Sequence, residues 1–289
     1  MAISILILRI LELDFGFDTR SRVDVTLGHS LGEFSALIAA GHLKFADALR
    51  LVRHRAEVMA QCTRQVAEKS GEDYGMVALI CEPERLEGLL LTIHDFLDSR
   101  SEEVGTHSTP PIQRVVVANI NSPNQIVLSG SIERIRTLLV QLRQFGGHDP
   151  RAVRLKSESP FHSPVMLPAA EYTKKILDGI SITFPAPIPC VSNISALPFQ
   201  STEDLKLLLS DSVRIPCAGG TAFAICTRHG GVRRWIGIGP GKVGRNLVGK
   251  EVGRVDTKGG GVWAVSNPKE MEIMMAALSQ TEVEIKAND

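Results

Sequence analysis

The sequence lacks the cysteine pattern of a disulfide framework or of a zinc site. Its five cysteines are odd in number, scattered along the chain and free of Cys-x-x-Cys spacing. Small disulfide-rich secreted domains and structural zinc sites both depend on closely spaced cysteines. We therefore expect reduced thiols and no metal site of that kind.

The sequence also lacks an excess of charge of either sign and an uninterrupted apolar segment near its start. Lys and Arg total 32, and Asp and Glu total 32, so no overall field favours nucleic acid or an anionic membrane. Arg9 and Glu12 interrupt the N-terminal apolar residues too early for a membrane span. We expect a buried helix there, and neither a signal peptide nor a transit peptide.

What the sequence does contain is a glycine-rich turn between a short apolar run and a helical stretch. Residues 28–32 read Gly-His-Ser-Leu-Gly, which is the Gly-x-Ser-x-Gly pattern of a nucleophile elbow. In such a turn the backbone passes close to itself, so we expect no room for a Cβ at Gly28 or Gly32. The hydroxyl of Ser30 would stand above the sheet edge, and the Leu31 N–H would stabilise an oxyanion. A plain glycine-rich turn fits the same five residues.

A longer stretch, Gly28-His-Ser-Leu-Gly-Glu-Phe-Ser-Ala-Leu37, resembles the acyl-carrier-protein malonyltransferases and the acyltransferase domains of polyketide synthases. Further segments resemble motifs of that family in the family's order, and they cover residues 52–56, 118–130, 159–164 and 238–243. The resemblance implies an acyltransferase that binds no cofactor or metal of its own, because the pantetheine arm belongs to its substrates.

The same resemblance implies a strand and a loop of the form Gly-Gln-Gly-Ser-Gln upstream of the helix with which this sequence starts. In the family, the glutamine N–H of that loop is the second oxyanion donor. Since removal of one such donor typically lowers the rate by about 10²–10³, we expect the chain as given to have impaired activity.

The order of predicted elements indicates an α/β fold: a parallel-sheet, hydrolase-like acyltransferase domain with an inserted ferredoxin-like small domain. Residues 72–158 read strand, helix, strand, strand, helix, strand (βαββαβ), which is the ferredoxin-like order. We therefore predict a discontinuous α/β domain, residues 1–71 and 159–289, around an inserted domain of residues 72–158.

Several connecting segments carry their own expectations. We expect the polar, proline-containing stretch 99–111 to be a disordered loop. The glycine-rich stretch 257–267 is expected to be a linker, and residues 218–229 to form a helix. A last helix is predicted over residues 269–278, with a loose tail after it.

His162 is the predicted base for Ser30. A serine hydroxyl is a weak nucleophile until a base takes its proton, and histidine titrates in the right range. Among eight histidines, His162 lies in Ser159-Pro-Phe-His-Ser-Pro164, which resembles the catalytic-histidine loop of the family. The resemblance implies a Ser-His dyad in which a backbone carbonyl near Leu208, and no carboxylate, accepts the hydrogen bond from the other ring nitrogen.

Arg55 is the predicted determinant of substrate charge. In the helix after Gly41, apolar residues recur at spacings of three and four, which places Arg55 on the buried side of the helix; they are Phe45, Ala48, Leu49, Val52, Ala56 and Met59. A buried guanidinium needs an anion, and a structural carboxylate is one possibility. The resemblance implies another, the carboxylate of a malonyl group gripped in a bidentate manner.

Four further residues complete the candidate site. Phe161, before His162, resembles the malonyl-selecting form of this loop. Asn119, Asn121 and Asn193 match polar positions that line the family's cleft, although each also suits a turn.

The resemblance implies transfer of malonyl from malonyl-CoA to the phosphopantetheine thiol of acyl carrier protein, in fatty acid biosynthesis. Three alternatives stay open: an acyltransferase of a polyketide pathway, a serine esterase, and an impaired chain that only binds the carrier protein. The resemblance also indicates the mitochondrial branch of the family, with the cytoplasm as the alternative, and we expect a monomer.

Overall fold

The computed structural model describes residues 1–102, 115–217, 222, 225–226, 231–251 and 260–286 of the chain. The helices are α1 (Ala2–Phe15), α2 (Thr19–Arg22), α3 (Gly32–Ala40), α4 (Phe45–Ser70), α5 (Leu86–Glu102), α6 (Ile132–Gln144), α7 (Leu167–Asp178), α8 (Thr202–Asp211), α9 (Val243–Glu251) and α10 (Pro268–Lys286). The strands are β1 (Thr26–Leu27), β2 (Tyr74–Ile80), β3 (Val116–Ser122), β4 (Gln125–Ser131), β5 (Arg151–Arg154), β6 (Cys190–Val191), β7 (Arg234–Ile238) and β8 (Gly261–Val265).

The chain divides into two compact units, each built from separate stretches of sequence. The first unit comprises Met1–Val52, Ile180–Leu208 and Ala218–Asp289, and the second comprises Arg53–Gly179 and Leu209–Cys217. The division runs through α4, whereas the division predicted from the sequence falls after residue 71.

Parallel strand pairs form the sheet structure of the first unit. β1 pairs with β6, so that Thr26 lies opposite Cys190, and β7 pairs with β8. Helix α1 packs on α3 and on β7, and it buries Ile7 and Leu11. Its Ile3, Leu6 and Leu13 are exposed, so the prediction of a buried helix holds for one face only. Parallel pairs with helices packed on them are the α/β arrangement that the sequence predicts.

The prediction of a linker over residues 257–267 is wrong where the structure describes it. Gly261–Val265 forms β8, in register with β7, and Val265 is fully buried. Glycines directly precede the short apolar run of this strand, so the local composition resembles that of a linker. At Gly261 a Cβ would lie 2.5 Å from the ring of Trp263, so glycine is needed there to make room for the indole.

The second unit contains the ferredoxin-like sheet that the βαββαβ order predicts. Its strands lie in the order β3-β4-β2-β5, and each neighbouring pair is antiparallel. One apolar cluster joins the sheet to α5 and α6; its fully buried members include Leu79, Leu89, Ile93, Ile126, Leu128, Ile135 and Leu142. Strand β5 is an edge strand, and all four of its residues are exposed.

A second apolar cluster explains why most of α4 is assigned to the second unit although the helix begins in the first. Met59, Cys62 and Val66 of α4 share one apolar cluster with Tyr74 of β2 and with residues that precede or lie in α7. Val213, which follows α8, belongs to the same cluster. Most of α4 is thus part of the core of the second unit.

Two predicted chain segments differ from the structure at their ends. Helix α5 continues to Glu102, so the predicted loop 99–111 starts as helix, and its residues from 103 on lie outside the described residues. Helix α10 continues to Lys286, beyond the predicted end at residue 278. Most of the predicted helix 218–229 also lies outside the described residues.

Candidate functional site

The turn around Ser30 has the strand-turn-helix context of a nucleophile elbow. It connects β1 to α3, whose N-cap is Leu31. Ser30 adopts a left-handed backbone conformation with φ 52°, and the carbonyl of Ser30 accepts the N–H of Glu33 at 3.0 Å. Such a conformation costs a residue with a Cβ about 1–3 kcal/mol and persists only where the surroundings enforce it.

Only one of the two predicted glycine constraints exists. A Cβ on Gly28 would overlap the carbonyl group of Gly32 and would lie 2.6 Å from the nitrogen of Glu33. A Cβ on Gly32 would have nothing within 4 Å. The prediction is confirmed for Gly28 and wrong for Gly32, because the helix start comes close to Gly28 while the Cβ direction of Gly32 is open.

The side chain of Asn193 holds both sides of the elbow. Its Oδ1 accepts the Ser30 N–H at 2.9 Å, and its Nδ2 donates to the Gly28 carbonyl at 2.6 Å. The N–H of Asn193 in turn donates to the carboxylate of Glu33 at 2.8 Å. Asn193 is 4% exposed and Glu33 is fully buried, so these bonds are shielded from water. The elbow is therefore fixed by two side chains from the same unit.

His162 is held by the main chain that follows α8. Its side chain is 3% exposed, and its backbone is also left-handed, with φ 56°. Its N–H donates to the Val213 carbonyl at 2.7 Å, and its Nδ1 lies 3.2 Å from the Ile215 carbonyl. A carbonyl only accepts, so Nδ1 carries the hydrogen of the neutral ring, and the lone pair is on Nε2. This is the tautomer of a general base acting through Nε2.

The acceptor for the imidazole is a backbone carbonyl, but the position predicted for it is wrong. Leu208, the predicted position, lies within α8. The acceptor is Ile215, in the segment after the helix. The prediction came from the family resemblance, and any residue type supplies a carbonyl, so the residues themselves did not mark the acceptor.

Arg55 lies on the buried side of α4, as the helical spacing predicts. Its side chain is 5% exposed. The residues that define this side differ from the predicted set, because Phe45, Leu49 and Ala56 are exposed; the buried positions are Ala48, Leu51, Arg55, Met59, Cys62 and Val66. A guanidinium buried in this position keeps its charge, so it favours an anionic group beside it.

The other candidate residues belong to both units. Leu31 is 44% exposed at the start of α3, in the first unit. In the second unit, Phe161 is half-buried and packs against two apolar clusters. The Oδ1 of Asn119, on β3, is buried without a hydrogen-bond partner among the described residues. The Nδ2 of Asn121 donates to Gln125 at 3.4 Å.

The cysteines are free, as expected. Burial raises the pKa of the Cys62, Cys190 and Cys226 thiols, which keeps them protonated and unreactive. Within the described part of the chain, no cluster of His, Cys, Asp and Glu residues is suited to hold a metal ion. The described helices also include none that is long and apolar enough to cross a membrane.

Comparison with known proteins places the chain in a family. No family model matches the chain. However, the chain is 35% identical to the malonyl CoA-acyl carrier protein transacylase of Bacillus subtilis. The aligned stretch is 257 residues long and covers 89% of this chain and 72% of that protein. The chain belongs to the malonyl CoA-acyl carrier protein transacylase family. A Synechocystis protein of the same name is 31% identical over 76% of this chain and 64% of its own length.

Solved structures of transacylases share the fold. The transacylase of Clostridium perfringens is 27% identical, with a TM-score of 0.76, over 99% of this chain and 78% of that chain. PlMCAT, a malonyl-transacylase in complex with the type II polyketide synthase acyl-carrier protein AntF, is 26% identical. Its TM-score is also 0.76, over 95% of this chain and 78% of that chain.

Within this transacylase chain, sequence reasoning missed three residues that support the candidate site. Glu33 had a usable signal, since it is a carboxylate in the first turn of an otherwise apolar helix, where a helix N-terminus favours negative charge. Val213 and Ile215 act through main-chain carbonyls. Any residue type supplies a carbonyl, so no sequence signal marks them.

Proposed function

We propose that this transacylase moves a malonyl group from malonyl-CoA to the phosphopantetheine thiol of an acyl carrier protein, in fatty acid biosynthesis. The observation that carries the proposal is the elbow, in which Ser30 is held at a left-handed backbone position between β1 and α3. The names of the relatives, which are transacylases of this substrate class, support the same activity.

In the first half-reaction, Nε2 of His162 takes the proton of the Ser30 hydroxyl. The Ser30 oxygen attacks the thioester carbon of malonyl-CoA, and the Leu31 N–H donates to the oxyanion that forms. When the carbon–sulfur bond breaks, the coenzyme A sulfur receives the proton from His162. The product is malonyl-Ser30. The Ile215 carbonyl supports this role because it keeps the hydrogen of the neutral ring on Nδ1.

In the second half-reaction, the thiol of the carrier protein gives its proton to His162 and attacks the malonyl ester. The ester bond breaks, and the Ser30 oxygen takes the proton back from His162. The reaction is therefore of the ping-pong type, with one covalent intermediate. No bound cofactor or metal takes part in these proposed steps.

Arg55 is proposed to bind the free carboxylate of the malonyl group. A buried guanidinium can hold a carboxylate through two parallel hydrogen bonds. Loss of one partner from such a pair typically costs about 2–5 kcal/mol, so an acetyl group, which lacks the carboxylate, should be a poor substrate. Phe161, Asn119, Asn121 and Asn193 are proposed to line the substrate site; the buried Oδ1 of Asn119 is an acceptor open to a donor.

A polyketide pathway is the second candidate function. The polyketide biosynthesis protein ThaF of Burkholderia thailandensis is 29% identical over 77% of this chain and 17% of that protein, and the carrier protein bound to PlMCAT belongs to a polyketide synthase. The chemistry at Ser30 would be the same, and only the carrier protein would differ.

Location and assembly remain predictions. The relatives named above with an organism come from bacteria, and they lend no support to the mitochondrial location that the resemblance indicates. A monomer that partners with acyl carrier protein remains the proposal for the assembly.

Intact-mass spectrometry after incubation with malonyl-CoA tests the proposed function. We expect a malonyl adduct on the parent chain, none on Ser30→Ala, and a strongly reduced amount on Arg55→Ala. Acetyl-CoA in place of malonyl-CoA should give little adduct on the parent. Absence of an adduct on a parent shown to be folded by circular dichroism would refute the activity, and an adduct on Ser30→Ala would refute the nucleophile.

A further inference from the structure

The turn that holds His162 is itself closed by an ion pair. Residues 212–217 follow α8 and supply both carbonyls that contact His162, those of Val213 and Ile215. This segment is irregular, so no helix or strand ladder fixes its carbonyls in place. Whatever fixes the turn also fixes the imidazole.

Asp211 closes the turn with both its main chain and its side chain. Its carbonyl accepts the N–H groups of Arg214 at 2.9 Å and of Ile215 at 3.0 Å. Its carboxylate oxygens accept Nε and Nη2 of Arg214, both at 2.8 Å. This bidentate arrangement fixes the geometry of the ion pair. It joins residues 211 and 214, so it encloses Val213 and ends next to Ile215.

The other end of the turn is fixed to the sheet. The Cys217 N–H donates to the Ala118 carbonyl at 2.8 Å, and Cys217 forms a parallel bridge with Asn119. With one end held by β3 and the other by Asp211, the Asp211–Arg214 pair is the side-chain restraint closest to Ile215. The Nδ1 to carbonyl distance of 3.2 Å is at the long end for such a bond, so a small movement of the turn breaks it.

We propose that Asp211 and Arg214 are positioning residues for the base, a role that rests on the proposed function of His162. The pair keeps the Ile215 carbonyl within reach of Nδ1 and thereby holds the ring in one tautomer and one orientation. The alternative is that the two residues form an ordinary surface ion pair with no effect on His162. Their side chains are 36% (Arg214) and 20% (Asp211) exposed, and such pairs contribute little to stability. The two roles differ in what they predict for the ring.

Two readouts on Arg214→Gln and Asp211→Asn separate the roles. The first is the rate of Ser30 acylation at saturating malonyl-CoA, which we expect to fall about tenfold with KM within about twofold, since misplacement of a catalytic group by 1 Å lowers rates by about 10²-fold. The second is the ¹⁵N chemical shifts of the His162 ring, which report the tautomer without any need for activity. We expect the variants to lose the single Nδ1–H tautomer of the parent.

The matched control is Arg143→Gln, which removes another ion pair of the same unit, that of Arg143 with Asp149. It should leave both readouts unchanged, and a charge exchange, Asp211→Arg with Arg214→Asp, should restore part of the lost rate. An unchanged tautomer and rate in Arg214→Gln, or an equal loss in Arg143→Gln, would overturn the proposal. A parent that is never acylated refutes the proposed function instead, and the ¹⁵N readout still decides whether the pair positions the ring.

Discussion

The two units hold their key residues in the same backbone conformation by different means. Ser30 and His162 have φ of 52° and 56°, and both therefore occupy a region that a residue with a Cβ avoids. In the first unit the side chain of Asn193 holds the elbow. In the second unit, main-chain carbonyls hold His162. A restraint made by a side chain depends on one residue type, whereas a restraint made by the main chain depends on the path of the backbone.

The largest expected effect comes from closing the space that the elbow needs. Gly28→Ala places a methyl group into the backbone of Gly32, and we expect a loss of about 3–5 kcal/mol in the free energy of unfolding, which is at the upper end for one substitution. Gly32→Ala is the control, because its Cβ has open space and alanine favours a helix by about 0.5–1 kcal/mol over glycine. Urea unfolding measures both. Equal losses would show that the close approach at Gly28 does not exist.

A smaller effect separates the side-chain restraint from the main-chain restraint. Asn193→Leu removes the acceptor of the Ser30 N–H and the donor to Gly28, and we expect a loss of about 1–3 kcal/mol for each buried group affected, together with slower acylation of Ser30. Ile215→Val keeps the carbonyl that contacts His162, so acylation should stay within about twofold of the parent. The acylation rates of both variants are measured by quenching the reaction at set times and recording the intact mass. If Ser30 is acylated as slowly in Ile215→Val as in Asn193→Leu, the distinction between a side-chain restraint and a main-chain restraint is wrong.

The smallest expected effect concerns a second imidazole held by a main-chain carbonyl, this time in the first unit. Nδ1 of His42 lies 3.0 Å from the Thr183 carbonyl, and the ring stacks on Phe184. Burial lowers the pKa of His42. The unfolded chain, with an ordinary histidine pKa of about 6.5, therefore binds the proton first, so stability falls as the pH drops below that value.

Urea unfolding at several pH values between 8 and 5 checks the sign of this effect. His42→Gln should flatten the pH dependence relative to the parent, while His94→Gln, at an exposed position on α5, should leave it unchanged. A parent that becomes more stable as the pH falls through this range would contradict the assignment.

The sequence allowed prediction of those parts that rest on residue type. The elbow could be predicted because Gly28 is required by a steric contact, and Arg55 because helical spacing places it on the buried side of α4. The ferredoxin-like order was visible in alternating apolar runs and turn residues. Each of these features requires particular residue types at particular spacings, and the sequence shows these directly.

The parts that could not be predicted rest on the path of the backbone or on context. The acceptor for His162 is the Ile215 carbonyl and not one near Leu208, and since every residue carries a carbonyl, the sequence offered no signal for its position. Strand β8 was missed because glycine-rich flanks hide a short apolar strand whose partner, β7, lies earlier in the chain. Long-range pairing of this kind is not readable from local composition.

The exposed edge strand β5 carries arginine at both of its ends, Arg151 and Arg154. An edge strand offers unpaired N–H and C=O groups to any other strand, including the same strand of another molecule. Antiparallel pairing of two copies of β5 would bring guanidinium groups from both molecules together. Arg154 is also paired with Asp73 at 2.8 Å, which offsets part of its charge. The repulsion that is left should oppose pairing of β5 edges in concentrated solutions, and added salt should weaken it.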